Sequence, residues 1–144
     1  MDLMIDIETL STHPNAIILN IGAIGFNAFS DEIYTQHSFY TRVDIDTQIN
    51  RHELADTMEW WGNQNALAQE EAFGEDNRML LSDALDNLAT LARKCGRIWA
   101  NGVAFDMPIL EDAYREHNKA YPWKFWNILD SRTVCKLNPM KKLG

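Results

Sequence analysis

With 144 residues, 46% of them hydrophobic and 24% charged, the chain suits one buried core and does not have the composition of a disordered segment. Its formal charge of −8, from 13 Lys and Arg against 21 Asp and Glu, argues against a protein that grips long duplex DNA by neutralising phosphates. No apolar run approaches the roughly 20 residues that cross a bilayer, the start Met1-Asp2-Leu3-Met4 is no secretory leader, and Cys95 and Cys135 lack metal-ligand spacing, so reduced thiols in a cytoplasmic protein are expected.

Residues 3–8 alternate apolar and acidic side chains at their end, as a strand does when one face meets a core. Residues 16–26 form a continuous apolar, β-branched run, which predicts a central strand. Residues 27–32 read as a hairpin turn and residues 34–43 as a returning third strand, so the chain opens with an antiparallel meander. From Asp56 the pattern becomes helical, with Asp56 or Thr57 expected to cap a short helix holding Met58, Trp60 and Trp61. Residues 77–94 place Leu80, Leu81, Ala84, Leu85, Leu88, Leu91 and Ala92 at three- and four-residue steps, a helix with basic residues in its last turn, closed by Gly96. Residues 97–100 make a short buried strand. A further helix is expected from Phe105 or Asp106 to about His117, with Pro108 in its first turn, where proline is tolerated. An aromatic loop over 121–126 leads to a last strand over 127–131. This order predicts an α/β fold with a mixed five-stranded sheet, three antiparallel strands plus parallel ones, flanked by helices.

The residues that could carry chemistry are acids. Asp6 and Glu8 stand two apart on the first strand, so both emerge on one face while Ile5 and Ile7 point into the core. Two like charges on a half-buried strand repel, and a divalent cation gives a physical reason to keep them together; hard oxygen donors suit Mg²⁺ or Mn²⁺. A solvated acidic face is the plainer alternative. Asp106 follows a short strand and opens a helix, where an aspartate ordinarily serves as a cap or complements the dipole. Here it also stands beside an Asn101-Gly102 turn and Phe105. The Trp60-Trp61 pair reads first as core.

Taken together, Ile5-Asp6-Ile7-Glu8-Thr9 resembles the first motif of the DEDD superfamily of 3′–5′ exonucleases. Asn101-Gly102-Val103-Ala104-Phe105-Asp106 is similar to the second, and Glu59-Trp60-Trp61 is similar to a Trp pair of its small bacterial and phage-type, exoribonuclease-like branch. The resemblance covers nearly the whole chain and implies an RNase H-like fold in a single domain over residues 1–144. It implies release of mononucleotides from the 3′ end of single-stranded DNA or RNA, with two divalent cations, Mg²⁺ or Mn²⁺, bridged by the scissile phosphate. Asp6, Glu8 and Asp106 would then be the metal ligands and catalytic acids. Thr9 and Leu10 would meet the terminal nucleotide, Leu10 as a wedge between bases. Asn101 and Phe105 would lie against the substrate, and Trp61, rather than Trp60, would stack on the last base. Asp130 is expected in a structural role. No membrane partner is implied, and relatives are often homodimers.

The pattern departs from the family at the end. No His or Tyr followed by Asp at the spacing of the last motif stands after Arg132, so the fourth acid and the general base are not found, and the last helix is expected to be missing. Impaired activity is expected, from a truncated chain or a natural remnant; a domain that binds nucleic-acid ends without cleaving them is the alternative.

Overall fold

Three strands pair in succession because their apolar residues alternate in register. In the computed structural model, which describes residues 1–138, β1 (Asp2–Thr9), β2 (Ile18–Phe26) and β3 (Ile33–Val43) form the expected antiparallel meander. The Asn27 N–H closes the hairpin on the Glu32 carbonyl at 3.0 Å. On the other side of β1 run β5 (Arg97–Ala100), parallel to it from Asp2/Arg97 to Met4/Trp99, and β6 (Ile128–Asp130), parallel to β5. The sheet order is β4-β3-β2-β1-β5-β6.

The mixed sheet is therefore as expected, with one strand more. That strand, β4 (Arg78–Met79), pairs parallel to the end of β3. It occupies what the sequence pattern gave to the start of a helix. The reason is local: Asn77 takes φ 59, a left-handed conformation that no helix interior accepts. The helix α3 accordingly spans only Leu81–Ala92 and has no basic residue in its last turn.

One face of the sheet is packed. Leu3, Ile5, Ile7, Ile21 and Ile98 join Leu85 and Leu88 of α3 and Ile109, Leu110 and Tyr114 of α4 (Val103–Glu116) in a single buried cluster. The Tyr114 hydroxyl donates to the Leu85 carbonyl at 2.7 Å, which satisfies the one polar atom of that ring. A second, smaller cluster of Leu10, Ile17, Leu19, Trp61 and Ala72 lies beneath α1 (Ala55–Gly62) and α2 (Ala66–Phe73). Helix α2 carried no sequence signal: only Ala72 of its eight residues is buried, and its cap is Asn65, whose side chain accepts from the Ala68 N–H.

Two helix starts differ from expectation. Leu54, not Asp56 or Thr57, is the N-cap of α1, and Asp56 stands in its first turn. Helix α4 begins at Val103, ahead of Phe105, because its first amides are satisfied from another strand: Asp130 accepts from the Gly102 N–H at 2.8 Å and the Val103 N–H at 3.4 Å. Pro108 is thus the sixth helical residue rather than a first-turn one. Gly102 must be glycine on two counts. Its φ is +94, and a Cβ there would meet the Arg132 guanidinium at 3.1 Å.

Arg51 ties the segment before α1 to α4. Its side chain is fully buried, pairs with Asp112 at 2.9 Å and Glu116 at 3.4 Å on α4, and donates to the Ala16 carbonyl at 2.7 Å. After β6 the chain enters α5 (Ser131–Leu137), so a helix does follow the last strand. The expectation of a missing last helix and motif reaches residues 139–144, outside the described residues. No helix among the described residues is long and apolar enough to cross a membrane.

Candidate active site

Register explains how the acids meet. The β1–β5 ladder stops at Met4/Trp99, leaving the later residues of β1 without a strand on that side. The Ile7 N–H instead donates to the Asp106 carboxylate at 3.1 Å. Ile7 lies between Asp6 and Glu8, so the buried acid from α4 docks against the middle of the pair on β1. Sequence alone left Asp106 with a capping role as the ordinary reading; its carboxylate instead reaches across to another element.

The electrostatics carry one sign. Burial pushes the Asp106 carboxyl up to about 7; the Ile7 N–H draws it back, and the negative charges of Asp6 and Glu8 push it higher. Burial also raises Asp6 and Glu8, and Asp6 raises Glu8 further. Three carboxylates thus share a field with no basic partner among these causes, the situation a divalent cation relieves. Their hard oxygen donors fit Mg²⁺ or Mn²⁺ by chemistry and charge. As they stand, no three or more His, Cys, Asp or Glu side chains among the described residues are grouped so that they could hold a metal ion.

A cavity of about 510 Å³ opens beside Glu8, walled by Trp60 and Phe105 with Thr12, Leu54 and Thr57 around it. Of the substrate residues expected from sequence, Phe105, Thr9 and Trp61 line this space, and Phe105 is 37% exposed. Of the two adjacent tryptophans on the cavity wall, Trp61 shows only an edge to it. Trp61 is 6% exposed, packs in the second cluster, and its indole N–H donates to the Thr9 carbonyl at 2.9 Å, whereas Trp60 is 53% exposed. Leu10 is likewise turned inward at 2% exposure, so it cannot act as a wedge. The cause is an irregularity in the ladder between Glu8 and Thr9, after which Thr9, Leu10 and Ser11 are all buried and strict alternation ends. Thr9 borders the cavity, but its hydroxyl is spent on the Ser11 carbonyl at 2.6 Å. Asn101 is exposed in the turn before α4 and accepts from the Ser131 hydroxyl at 3.4 Å.

Asp130 has the structural role expected of it. Besides Gly102 and Val103 it accepts from the Arg132 N–H at 3.0 Å, capping α5 while it holds the start of α4. Sequence reasoning missed Thr12, Asp56 and Thr57 as cavity residues. One signal was available for the tryptophans: Leu54 lies seven residues before Trp61 on the same helix face, and Asp56 lies four before Trp60.

The family and the curated relative that the chain matches are nuclease hydrolases, in keeping with the resemblance to the DEDD 3′–5′ exonucleases. The chain belongs to the family described as the 3′-5′ exoribonuclease Rv2179c-like domain, which it matches over residues 1–144. It is also similar to the exodeoxyribonuclease of Enterobacteria phage T4, with 26% identity over 157 residues, 92% of this chain and 69% of the phage protein. Among solved structures it is similar to cell-death related nuclease 4, with a TM-score of 0.49 and 16% identity over 81% of this chain. The chain spans 40% of the length of that nuclease.

Proposed function

We propose that this chain is a metal-dependent 3′–5′ exonuclease that releases mononucleotides from the 3′ end of a single strand of DNA or RNA. Asp6, Glu8 and Asp106 would hold two divalent cations, Mg²⁺ or Mn²⁺. The observation that carries this reading is the seat of Asp106 on the Ile7 N–H, which puts a buried carboxylate of raised pKa between two other acids. When bound, the cations supply the positive charge and Lewis acidity that phosphodiester hydrolysis needs.

The chain's own residues do the rest. Ile5 and Ile7, anchored in the core, fix Asp6 and Glu8 on the outer face of β1. Asp106 gives up its proton on becoming a ligand, so metal uptake releases protons below about pH 7. Trp60 takes the stacking role and Phe105 presses on the terminal sugar or base, as two aromatic walls of the cavity. The net charge of −8 suits a site that grips a strand end through cations rather than a long phosphate backbone.

The test is degradation of 5′-labelled single-stranded RNA and DNA in Mn²⁺, Mg²⁺ or EDTA. Progressive shortening from the 3′ end in metal and none in EDTA is expected. Internal cuts, or cleavage indifferent to EDTA, would overturn the proposal. Mn²⁺-dependent nucleotide binding without shortening would make the chain a non-catalytic end-binding domain.

A further inference from the structure

A fully buried guanidinium is costly unless each of its donors is met. Arg51 satisfies that condition, because its five N–H groups face five acceptors. Nε donates to the Ala16 carbonyl at 2.7 Å and Nη2 to the Pro14 carbonyl at 3.4 Å, both on the loop between β1 and β2. Nη1 donates to Asp112 at 2.9 Å and Glu116 at 3.4 Å, and Nη2 to the Ile109 carbonyl at 3.5 Å, all on α4.

The two ends of that grip lead to two different walls of the cavity beside Glu8. On one side, the segment that bears Arg51 is stitched to the β1–β2 loop: the His52 N–H donates to the Asn15 carbonyl and the Leu54 N–H to the Leu10 carbonyl, each at 2.8 Å. Leu54 caps α1, which brings Trp60 to the cavity. On the other side, Ile109, Asp112 and Glu116 stand four, seven and eleven residues after Phe105, so all three share its stripe of α4. Phe105 is the part of that stripe that reaches the cavity. Its neighbour Asp106 is anchored separately, by the Ile7 N–H of β1. Helix α4 therefore has two moorings, one that seats an acid and one that sets an aromatic wall.

Building on the exonuclease reading, we infer that Arg51 is a positioning residue: it fixes the gap between Trp60 and Phe105, and with it the fit of the terminal nucleotide, while touching neither metal nor substrate. Stability alone does not call for an arginine here. A well-packed apolar side chain of similar volume often serves a buried position as well as an ion pair does. What such a side chain lacks is direction. Hydrogen bonds from one rigid plane to both the loop and α4 leave the helix little freedom to slide or turn, whereas apolar packing alone tolerates several near-equivalent arrangements.

The test separates the two moorings. Calorimetry on the full chain, well below its melting temperature, measures the affinity for Mn²⁺ and then for adenosine 5′-monophosphate in saturating Mn²⁺. Arg51→Lys keeps the positive charge but gathers its donors on one nitrogen, which cannot span the loop and α4 together. It is expected to weaken nucleotide binding about tenfold while Mn²⁺ affinity stays within about twofold, the signature of a small displacement of one wall. Asp112→Asn combined with Glu116→Gln loosens the grip from the other end, at carboxylates that are 32% and 34% exposed. This double variant is expected to show the same split to a smaller degree, and it decides the matter should Arg51→Lys not fold. Tyr114→Phe is the control: it removes the buried hydrogen bond to Leu85 and should lower the melting temperature with both affinities kept. If the grip variants bind nucleotide as the unaltered chain does, or lose Mn²⁺ and nucleotide in parallel, the inference is wrong. The same split in Tyr114→Phe would also overturn it. An unaltered chain that binds no nucleotide in Mn²⁺ would instead bring down the exonuclease reading itself, a result distinct from an intact or parallel response.

Discussion

Two aspartates stand near the N-termini of successive helices and are treated in opposite ways. Asp130, at the end of β6, accepts three backbone N–H groups, and the Gly102 N–H in particular holds its carboxyl below the ordinary aspartate range. Asp106, in the first turn of α4, accepts the Ile7 N–H, is buried, and is pushed up to about 7 with Asp6 and Glu8 beside it. The first is compensated by donors of its own fold and orders two helix starts. The second is left under-compensated. An acid that a fold leaves short of partners, at a position it has built with care, is a candidate for chemistry.

The contrast can be broken by experiment, beginning where the effect is largest. Asp106→Asn is expected to lower metal-dependent exonuclease activity by about 10²–10³-fold, as loss of one charge-bearing group of an active site does. A variant that keeps its rate removes Asp106 from the site. Next is pH. Above the ordinary aspartate pKa the unfolded chain releases the Asp106 proton while the folded chain keeps it, so metal-free stability falls as pH rises from about 4 and levels off above about 7. The Asp106 share of that loss is roughly 4 kcal/mol at most and is absent from Asp106→Asn. Denaturant unfolding of both proteins in EDTA across this range measures it, and a difference flat in pH would refute it. Mn²⁺ affinity should run the other way, rising with pH through about 7.

A smaller effect separates the adjacent tryptophans. Trp60→Ala is expected to weaken nucleotide binding by about 1–3 kcal/mol with melting little changed. Trp61→Ala should lower the melting temperature, having emptied part of the second cluster. Equal effects in both assays would undo the assignment. The smallest is Asp130→Ala, expected to lower the melting temperature by several degrees through loss of its cap while activity well below that temperature persists.

What was legible in the sequence was whatever depends on local periodicity. The meander, β5 and the amphipathic part of α3 follow from alternation and three- and four-residue spacing, and Asp6 and Glu8 share a face for the same reason. What was not legible depends on contacts distant in sequence or on one backbone torsion. Helix α4 starts early because Asp130, 27 and 28 residues away, meets its first amides. Strand β4 exists because Asn77 turns left-handed and Arg78 finds Arg42. The irregularity after Glu8 turned Leu10 inward, and parity counting fails past such a point. Arg51 reads as a surface residue until Asp112 and Glu116 of α4 come round to meet it.

The pairing of β1 with β2 also guards against a particular error of folding. Sliding β1 by one position would turn Asp6 and Glu8 into the packed interior and throw Ile5 and Ile7 out to water. Such a molecule would lose its core along with its acids. Any chain that reaches a stable fold has therefore already passed an inspection of the strand that bears its acids, carried out by the same leucines and isoleucines that hold the sheet to its helices.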